Sequence, residues 1–397
     1  MTSLVSFLVP DIGAPTIGAA LKLARMLEPE YRTEIVGPDF GRGICSLYRD
    51  AYPFRPIPAG RLYRLPDFAW ESGRIAGAVQ GDVVIALKAF ATTVGIALKV
   101  KKQRGVPVAV YLDEWDAALW YSMSAADKCA CWFHHFHHPA EPCYHPLAEK
   151  YLRHADVVLS TTTWLQQRFG GDIVHAGVDG HFFKPQPSSQ VAALKLALGL
   201  AGKKVIVFGG VVRPHKGVEE ILEAVLRLDR ADVRLLVVGP LTEHLTTMLQ
   251  SERYGKLLVV AGDPVNAATS RNADIHKQMP LYLDVGDLVV LPLRDTLLAR
   301  SQMPIKLFEA LAMGKPVVGT AVADLPQMLE GCGLVVPPDR VDALSRAIGQ
   351  ILSDDQAAHK LGQAARLKCM RCYDKAVVRS KMLGIVDGLL QGRKKTA

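Results

Sequence analysis

Short runs of β-branched and other apolar residues alternate along the chain with longer stretches in which apolar positions recur every three or four residues. This pattern predicts parallel strands joined by crossover helices, because a strand covered on both faces needs a continuous apolar run while its covering helix needs only one apolar stripe. In the first half the predicted strands are "LVSFLVP" (4–10), "TEIVGP" (33–38), "DVVIAL" (82–87), "VPVAVYL" (106–112) and "DVVLST" (156–161). Amphipathic helices fall between several of them, as over Gly18 to Leu27, where Leu21, Leu23, Ala24 and Leu27 are apolar. A second series begins with "KKVIVFGGVV" (203–212) and continues through "VRLLVVGP" (233–240), "LLVVAG" (257–262), "DLVVLPL" (287–293), "KPVVGT" (315–320) and "GLVVPP" (333–338). Between the series, "DGHFFKPQPSSQ" (179–190) has two prolines, two serines and no clear period, and reads as a linker. The expectation is an α/β chain of two doubly wound domains in tandem, with ligands beyond the carboxyl ends of the strands and a cleft between the domains.

Composition fits that frame. A length of 397 residues suits two domains, and 49% apolar with 22% charged residues is the balance of a folded chain. No apolar run reaches the roughly 18 residues of a spanning helix. "MTSLVSFLVPDIGAP" shows neither a basic leader region nor a small-residue cleavage site, so the expected location is the cytoplasm or the cytoplasmic face of the membrane. Seven scattered cysteines do not resemble a disulfide framework. A net charge of +8 favours an anionic partner: a nucleotide, a phosphorylated lipid or a membrane surface. The basic residues are dispersed and form no recognised motif for nucleic acid, which is not an expected partner.

The chemistry-bearing stretches lie at strand-to-helix turns. In "FGGVVRPHKGVEEILEAVLRL" (208–228) a strand passes through a Gly-Gly turn into an amphipathic helix, which crowds Arg213, His215 and Lys216 at a helix N-terminus. Backbone amides and the helix dipole already favour an anion there, and two firm cations make a diphosphate site; solvated turn residues are the alternative. In "MPIKLFEALAMGKPVVGT" (303–320), Pro304 suits a first helical turn and Gly314 the position past the end. Glu309 is the sole carboxylate of that nearly apolar helix. Either Lys306, three residues earlier, pairs with it, or it accepts hydrogen bonds from ligand hydroxyls such as a ribose diol.

In the first domain, "PDIGAPTIG" (10–18) offers Gly13 and Gly18, either as turn formers or as sites of close backbone approach to phosphates. "DEWDAALWYS" (113–122) follows a strand and supplies Asp113, Glu114 and Asp116, one of which orients or deprotonates an acceptor hydroxyl unless Asp113 or Asp116 caps a helix. "CACWFHHFHHPAEPCYHP" (129–146) holds three cysteines and five histidines. Cys129, Cys131, His134, His138, Cys143 and His145 are metal candidates, although no Cys-x2-Cys pair occurs; the other reading is an aromatic acceptor-side loop with His138 facing the acceptor. With "RLYRLPDFAW" (61–70) and the net charge, that loop allows peripheral membrane contact.

Taken in order, these stretches resemble the retaining glycosyltransferases of family four, which have the GT-B fold of two Rossmann-like domains facing across a cleft. "GGVVRPHKG" is similar to the family's phosphate turn, "VGDLVVLPL" (285–293) to the strand before its donor loop, and "MPIKLFEALAMGKPVVGTAVADLPQML" to its donor helix and following strand. "GLVVPPDRVDALSRAIGQIL" (333–352), "ADVVLSTTTWLQQRF" and "HAGVDGHFFKP" resemble its later units. The resemblance implies transfer of a sugar, with retention, from a nucleoside diphosphate sugar to a glycan or polyprenyl-linked acceptor, with no cofactor and no metal required. It gives Arg213 and Lys216 the donor diphosphate and Glu309 the ribose, places Gly210, Ser301, Pro304, Ile305 and Lys306 at the donor, and puts base selection near "VAGDPVN" (260–266). Where many relatives carry a histidine, this chain offers Asp113, Glu114 and Asp116, of which Asp113 is the expected catalytic member and the other two lie on the acceptor side. Two departures stand out: Ser301 occupies the position of the first glutamate of the Glu-x7-Glu signature, and Gly210 that of the usual arginine, for which Arg213 substitutes. The implied domains are 1–180 with a returning helix at 371–397, which binds the acceptor, and 181–370, which binds the donor. A GT-B-like epimerase and a non-catalytic nucleotide-sugar-binding protein are the competing functions.

Overall fold

In the computed structural model, residues 3–60, 64–213, 216–262 and 270–396 are described, with side chains except over 270–276 and 394–396. The chain forms two compact units, Met1–Ala176 with Val378–Ala397, and Gly177–Val377.

The first unit contains a seven-stranded sheet: β1 (Leu4–Leu8), β2 (Arg32–Asp39), β3 (Phe54–Pro58), β4 (Val83–Leu87), β5 (Val108–Leu112), β6 (Val157–Ser160) and β7 (Asp172–Ile173), in the order β3-β2-β1-β4-β5-β6-β7. All neighbours are parallel. Central strands β4 and β5 are buried at every position, which is why they read as unbroken apolar runs. The strands absent from the sequence reading are the two edges. β3, "FRPIP", carries two prolines tolerated only where one side of a strand is unpaired, and β7 has just two residues. Strand order reverses between β1 and β4, and a doubly wound sheet opens its ligand crevice at such a switch point. Val378, Met382 and Val386, from the last helix (Lys375–Thr396), join the core beside β1 and β4.

The second unit contains β8 (Lys204–Gly209), β9 (Val233–Val238), β10 (Leu258–Ala261), β11 (Leu288–Leu291), β12 (Val317–Thr320) and β13 (Gly333–Val336), again all parallel, in the order β10-β9-β8-β11-β12-β13. Here the switch point lies between β8 and β11. Both faces are covered, one by a core that includes Leu307, Phe308 and Leu311, the other by one built on Ile221, Leu222, Val225, Ile348 and Ile351.

The expected linker is shorter than its composition suggested. Its serines open a helix, Ser188–Ala197, because Pro187 at the N-cap presets the backbone. The stretch before it is pinned: Asp179 accepts from the amides of His181 and Phe182, and Gly180 donates to the buried Asp374 carboxylate. The same anchor, with Cys369 and Tyr373 in the second core, keeps residues 371–377 in the second unit, so the chain returns to the first at Val378 instead of 371.

Candidate functional site

Glycines at the carboxyl ends of adjacent strands shape the second unit's site. Gly210, just past β8, has φ +109, and a methyl group on Gly239 would fall 2.4 Å from the Gly210 carbonyl oxygen. Gly217 is the N-cap of the helix Val218–Leu228 in a left-handed conformation (φ +67), and a Cβ there would lie 2.1 Å from the carbonyl oxygen of Pro292, beyond β11. Only glycine lets this turn close against the end of β11.

The turn carries Lys216 over Gly210, where a Cβ would sit 4.0 Å from Lys216 Nζ and 3.8 Å from Lys306 Cε. Lys306 lies in the first turn of the helix Ile305–Ala312, whose N-cap is Pro304 and which ends before Gly314 at φ +67. Its stem runs across Gly209, and its Nζ donates to Glu309 Oε2 at 2.9 Å. The Glu309 side chain is 10% exposed and its helix is buried from Leu307 to Ala312, so the pairing is what makes a carboxylate tolerable there. Lys216, Lys306, Glu309, Gly209 and Gly210 therefore converge, together with the amides of Ile305 and Lys306 in the first turn of the helix, which precede its first intrahelical acceptors. Arg213 is exposed in the loop before Lys216 and accepts from the Lys216 amide through its carbonyl. Ile305 is partly exposed. Ser301 is fully buried at the end of the helix Leu297–Ser301, and its hydroxyl donates to the Leu298 carbonyl at 2.9 Å. His215 and positions 263–266 of the stretch expected to select the base lie outside the described residues.

The first unit gathers charge in a different way. Lys88, one residue past β4, has φ +69 and is almost wholly buried. Its ammonium lies 2.7 Å from Glu114 Oε1, 2.9 Å from Asp116 Oδ1 and 3.2 Å from Asp113 Oδ1. Asp113, Glu114 and Asp116 are thus brought together around a cation the sequence reading overlooked. The capping alternative is corrected: the next helix, Ala118–Ser122, has Ala117 at its N-cap and no side-chain cap, because the carboxylates are drawn to Lys88. Burial alone would lower the Lys88 pKa, but Asp113, Asp116 and Glu114 together raise it well above the usual lysine value. Burial pushes the Asp116 carboxyl up to about 7, with Glu114 and Asp113 adding and Lys88 opposing.

At the other expected positions, Asp11 Oδ1 accepts from the Gly13 amide at 2.8 Å and so fixes that loop after β1. Gly18 packs closely: a Cβ would meet the Tyr48 hydroxyl at 2.6 Å, inside a buried helix face. The cysteine and histidine stretch does not assemble. Cys129 and His134 are exposed on the helix Ala125–His135, while Cys131 and Cys143 are buried, with burial and its neighbour Cys131 raising the Cys143 thiol. His145 stacks on Phe90, and its ring nitrogens face the carbonyls of Asp116 and Ala140. His138 packs against His137. Among the described residues no three His, Cys, Asp or Glu side chains are placed to hold a metal ion.

Comparison with solved structures defines the class. HepE from Anabaena, crystallised with UDP, superposes with a TM-score of 0.72 at 15% identity, covering 97% of this chain and 99% of that one. Sucrose-phosphate synthase from Thermosynechococcus elongatus gives 0.71 at 17%, covering 98% and 100%. The chain has the GT-B fold, as its sequence led us to expect. Residues 202–354, which include every charged member of the Lys216 cluster, match the family model described as Glycosyl transferases group 1. Among curated proteins, the GDP-mannose-dependent alpha-(1-6)-phosphatidylinositol monomannoside mannosyltransferase of Mycolicibacterium smegmatis is 28% identical over 242 residues, 56% of this chain and 60% of that protein. The alpha-D-kanosaminyltransferase of Streptomyces kanamyceticus is 24% identical over 200 residues, 49% and 48% of the two. The chain thus spans about half to three fifths of the length of these relatives. The family match thus falls within the second unit, and the solved structures show the fold of the chain.

The raised Asp116 pKa has a thermodynamic consequence. The folded state binds a proton the unfolded state has already lost, so stability present below about pH 4 declines as pH rises through about 7. A shift of that size is worth roughly 4 kcal/mol. Urea denaturation across this range is expected to show wild type losing stability relative to Asp116→Asn; parallel profiles would contradict it.

Proposed function

We propose that the chain transfers a sugar from a nucleoside diphosphate sugar to a hydroxyl acceptor, with retention, during assembly of a cell-envelope glycan, polysaccharide or glycolipid. One observation carries the reading: Lys216, Lys306 and Glu309 meet around Gly209 and Gly210 at the carboxyl end of β8, within the segment matching the group 1 family. Breaking the anomeric C–O bond leaves charge on a diphosphate while the sugar becomes oxocarbenium-like. Cations and helix amides fixed on that diphosphate stabilise the transition state more than the bound substrate. Lys216 and Arg213 supply the charge, and the glycines let the phosphates come close to the backbone. Glu309 accepts from the ribose diol, which takes over part of the Lys306 interaction and turns that ammonium toward the phosphates. The donor is the only small molecule this reading needs beyond the acceptor. Retention is supported by the resemblance to family four, and the anomeric configuration of the product reads it directly.

Nucleoside diphosphate release from a panel that includes UDP-glucose and GDP-mannose, with neutral glycosides and lipid extracts as acceptors, tests the assignment. Lys216→Ala and Glu309→Ala are each expected to lower kcat/KM about a hundredfold, near the 3 kcal/mol typical of one oxyanion donor, with the melting temperature preserved. Wild-type kinetics in both variants would refute the site, and tight nucleotide-sugar binding without turnover would favour a binding protein.

The acceptor is glycan-linked or polyprenyl-linked, and the first unit meets it at the cytoplasmic face of a membrane. No described helix is long and apolar enough to cross one. Peripheral contact is supported by exposed Trp132, Phe133 and Phe136 on or just beyond the helix Ala125–His135, and by Trp70, which is 81% exposed. Flotation with anionic liposomes at physiological salt should carry wild type upward and Phe133→Ser/Phe136→Ser much less; absence of wild type from the floated fraction would contradict membrane contact.

A further inference from the structure

Lys88 has no part in the donor chemistry, yet it is the most heavily committed charge in the first unit. A buried lysine must be compensated or lose its proton, and here the ammonium donates to Glu114 Oε1 and Asp116 Oδ1 and forms an ion pair with Asp113 Oδ1 at 3.2 Å. The backbone confirms the commitment. Lys88 adopts a left-handed conformation uncommon for a residue with a side chain, its amide donates to the Tyr111 carbonyl of β5, and Thr93 Oγ1 donates to its carbonyl. The end of β4 is thereby locked to the end of β5, with the ammonium pointed at the loop carrying Asp113, Glu114 and Asp116.

The three carboxylates are not equivalent. Asp113 keeps 39% of its side chain exposed, Glu114 26% and Asp116 11%. Asp116 Oδ2 is buried without a hydrogen-bond partner, beside a small enclosed cavity lined by Glu114, Trp115, His145 and Glu149. One ammonium balances one carboxylate, so three ionised groups would leave two uncompensated charges. The groups facing Asp116 are Lys88 from the end of β4, Asp113 and Glu114 from its own loop, and His145 and Glu149 from the helix His145–Tyr151. The ring nitrogens of His145 face two carbonyls, and burial lowers its pKa.

We propose that Lys88 is a positioning residue for the acceptor: it binds the three carboxylates into one unit in which Asp113 meets the acceptor hydroxyl. This rests on the transferase reading. As the acceptor oxygen bonds to the anomeric carbon on the same face from which the diphosphate departs with the electron pair of the broken C–O bond, which keeps the configuration, the hydroxyl proton passes to Asp113. Nothing else is consumed. The unit's negative balance also defines the acceptor chemistry at this point as an uncharged hydroxyl, such as that of a neutral sugar, because a phosphate beside these carboxylates would be repelled. Any phosphate of the acceptor lies away from Asp113.

The test follows carboxyl carbon resonances of the full chain labelled at aspartate, with Asp116 assigned through Asp116→Asn. An opposite charge at this range moves a carboxyl by about 1–3 pH units. In Lys88→Met the Asp116 midpoint is therefore expected to rise by at least about one unit, and in Lys88→Arg to return toward wild type. An unchanged midpoint in Lys88→Met overturns the proposal. If Lys88→Met does not fold, Glu114→Gln carries the test with the opposite sign: the Asp116 midpoint falls, and no movement overturns it. A second readout uses UDP-glucose and GDP-mannose with methyl glycosides. Lys88→Met is expected to lose about a hundredfold in kcat while the donor dissociation constant stays within about twofold. Unaltered kcat, or loss confined to donor affinity, refutes positioning. A wild type that binds and turns over neither donor instead removes the transferase reading, and the titration still decides the role of Lys88.

Discussion

The second unit's site depends on the absence of a side chain at Gly217. The turn after β8 closes against the Pro292 carbonyl, and a single methyl group would occupy that oxygen's space. Closure sets the start of the helix Val218–Leu228 and brings Lys216 over Gly210. The same crowding recurs sideways, since Gly239 packs on the Gly210 carbonyl and Gly262 on that of Gly239. Three adjacent strands thus end in bare backbone, a surface on which two lysines can hold an anion without competition from other side chains.

Both units solve one electrostatic problem with opposite signs. In the second, the lone carboxylate Glu309 is stabilised in an apolar helix by Lys306, and Lys216 tips the balance to positive. In the first, the lone ammonium of Lys88 is buried among three carboxylates and the balance is negative. A leaving diphosphate needs the first arrangement. A hydroxyl that must lose a proton needs the second. These opposite signs support the proposal that donor and acceptor chemistry belong to different units.

Much of this was legible in the sequence, and the failures have physical causes. Continuous apolar runs marked the central strands because both of their faces are covered. The edges escaped notice, since β3 is broken by prolines and β7 is too short to show a period. Glu309 announced itself as a charge inside an apolar helix, and both partners proposed for it remain meaningful: Lys306 holds it now, and a ribose is the proposed replacement. Lys88 gave a comparable signal, a lone cation directly after "DVVIAL", but what it faces is decided by the pairing of β4 with β5, which no local pattern encodes. What Gly18 and Ser301 meet was hidden for the same reason: Tyr48 lies where a side chain at Gly18 would go, and the Ser301 hydroxyl donates to the Leu298 carbonyl.

The central claim is that the bare-backbone turn with Lys216 and Lys306 recognises a diphosphate. Calorimetric titration of the full chain with UDP and GDP against uridine and guanosine measures that contribution alone. The account predicts that at least one diphosphate binds ten- to a hundredfold more tightly than its nucleoside, about 1.4–2.7 kcal/mol. Equal affinity for nucleoside and diphosphate would contradict it.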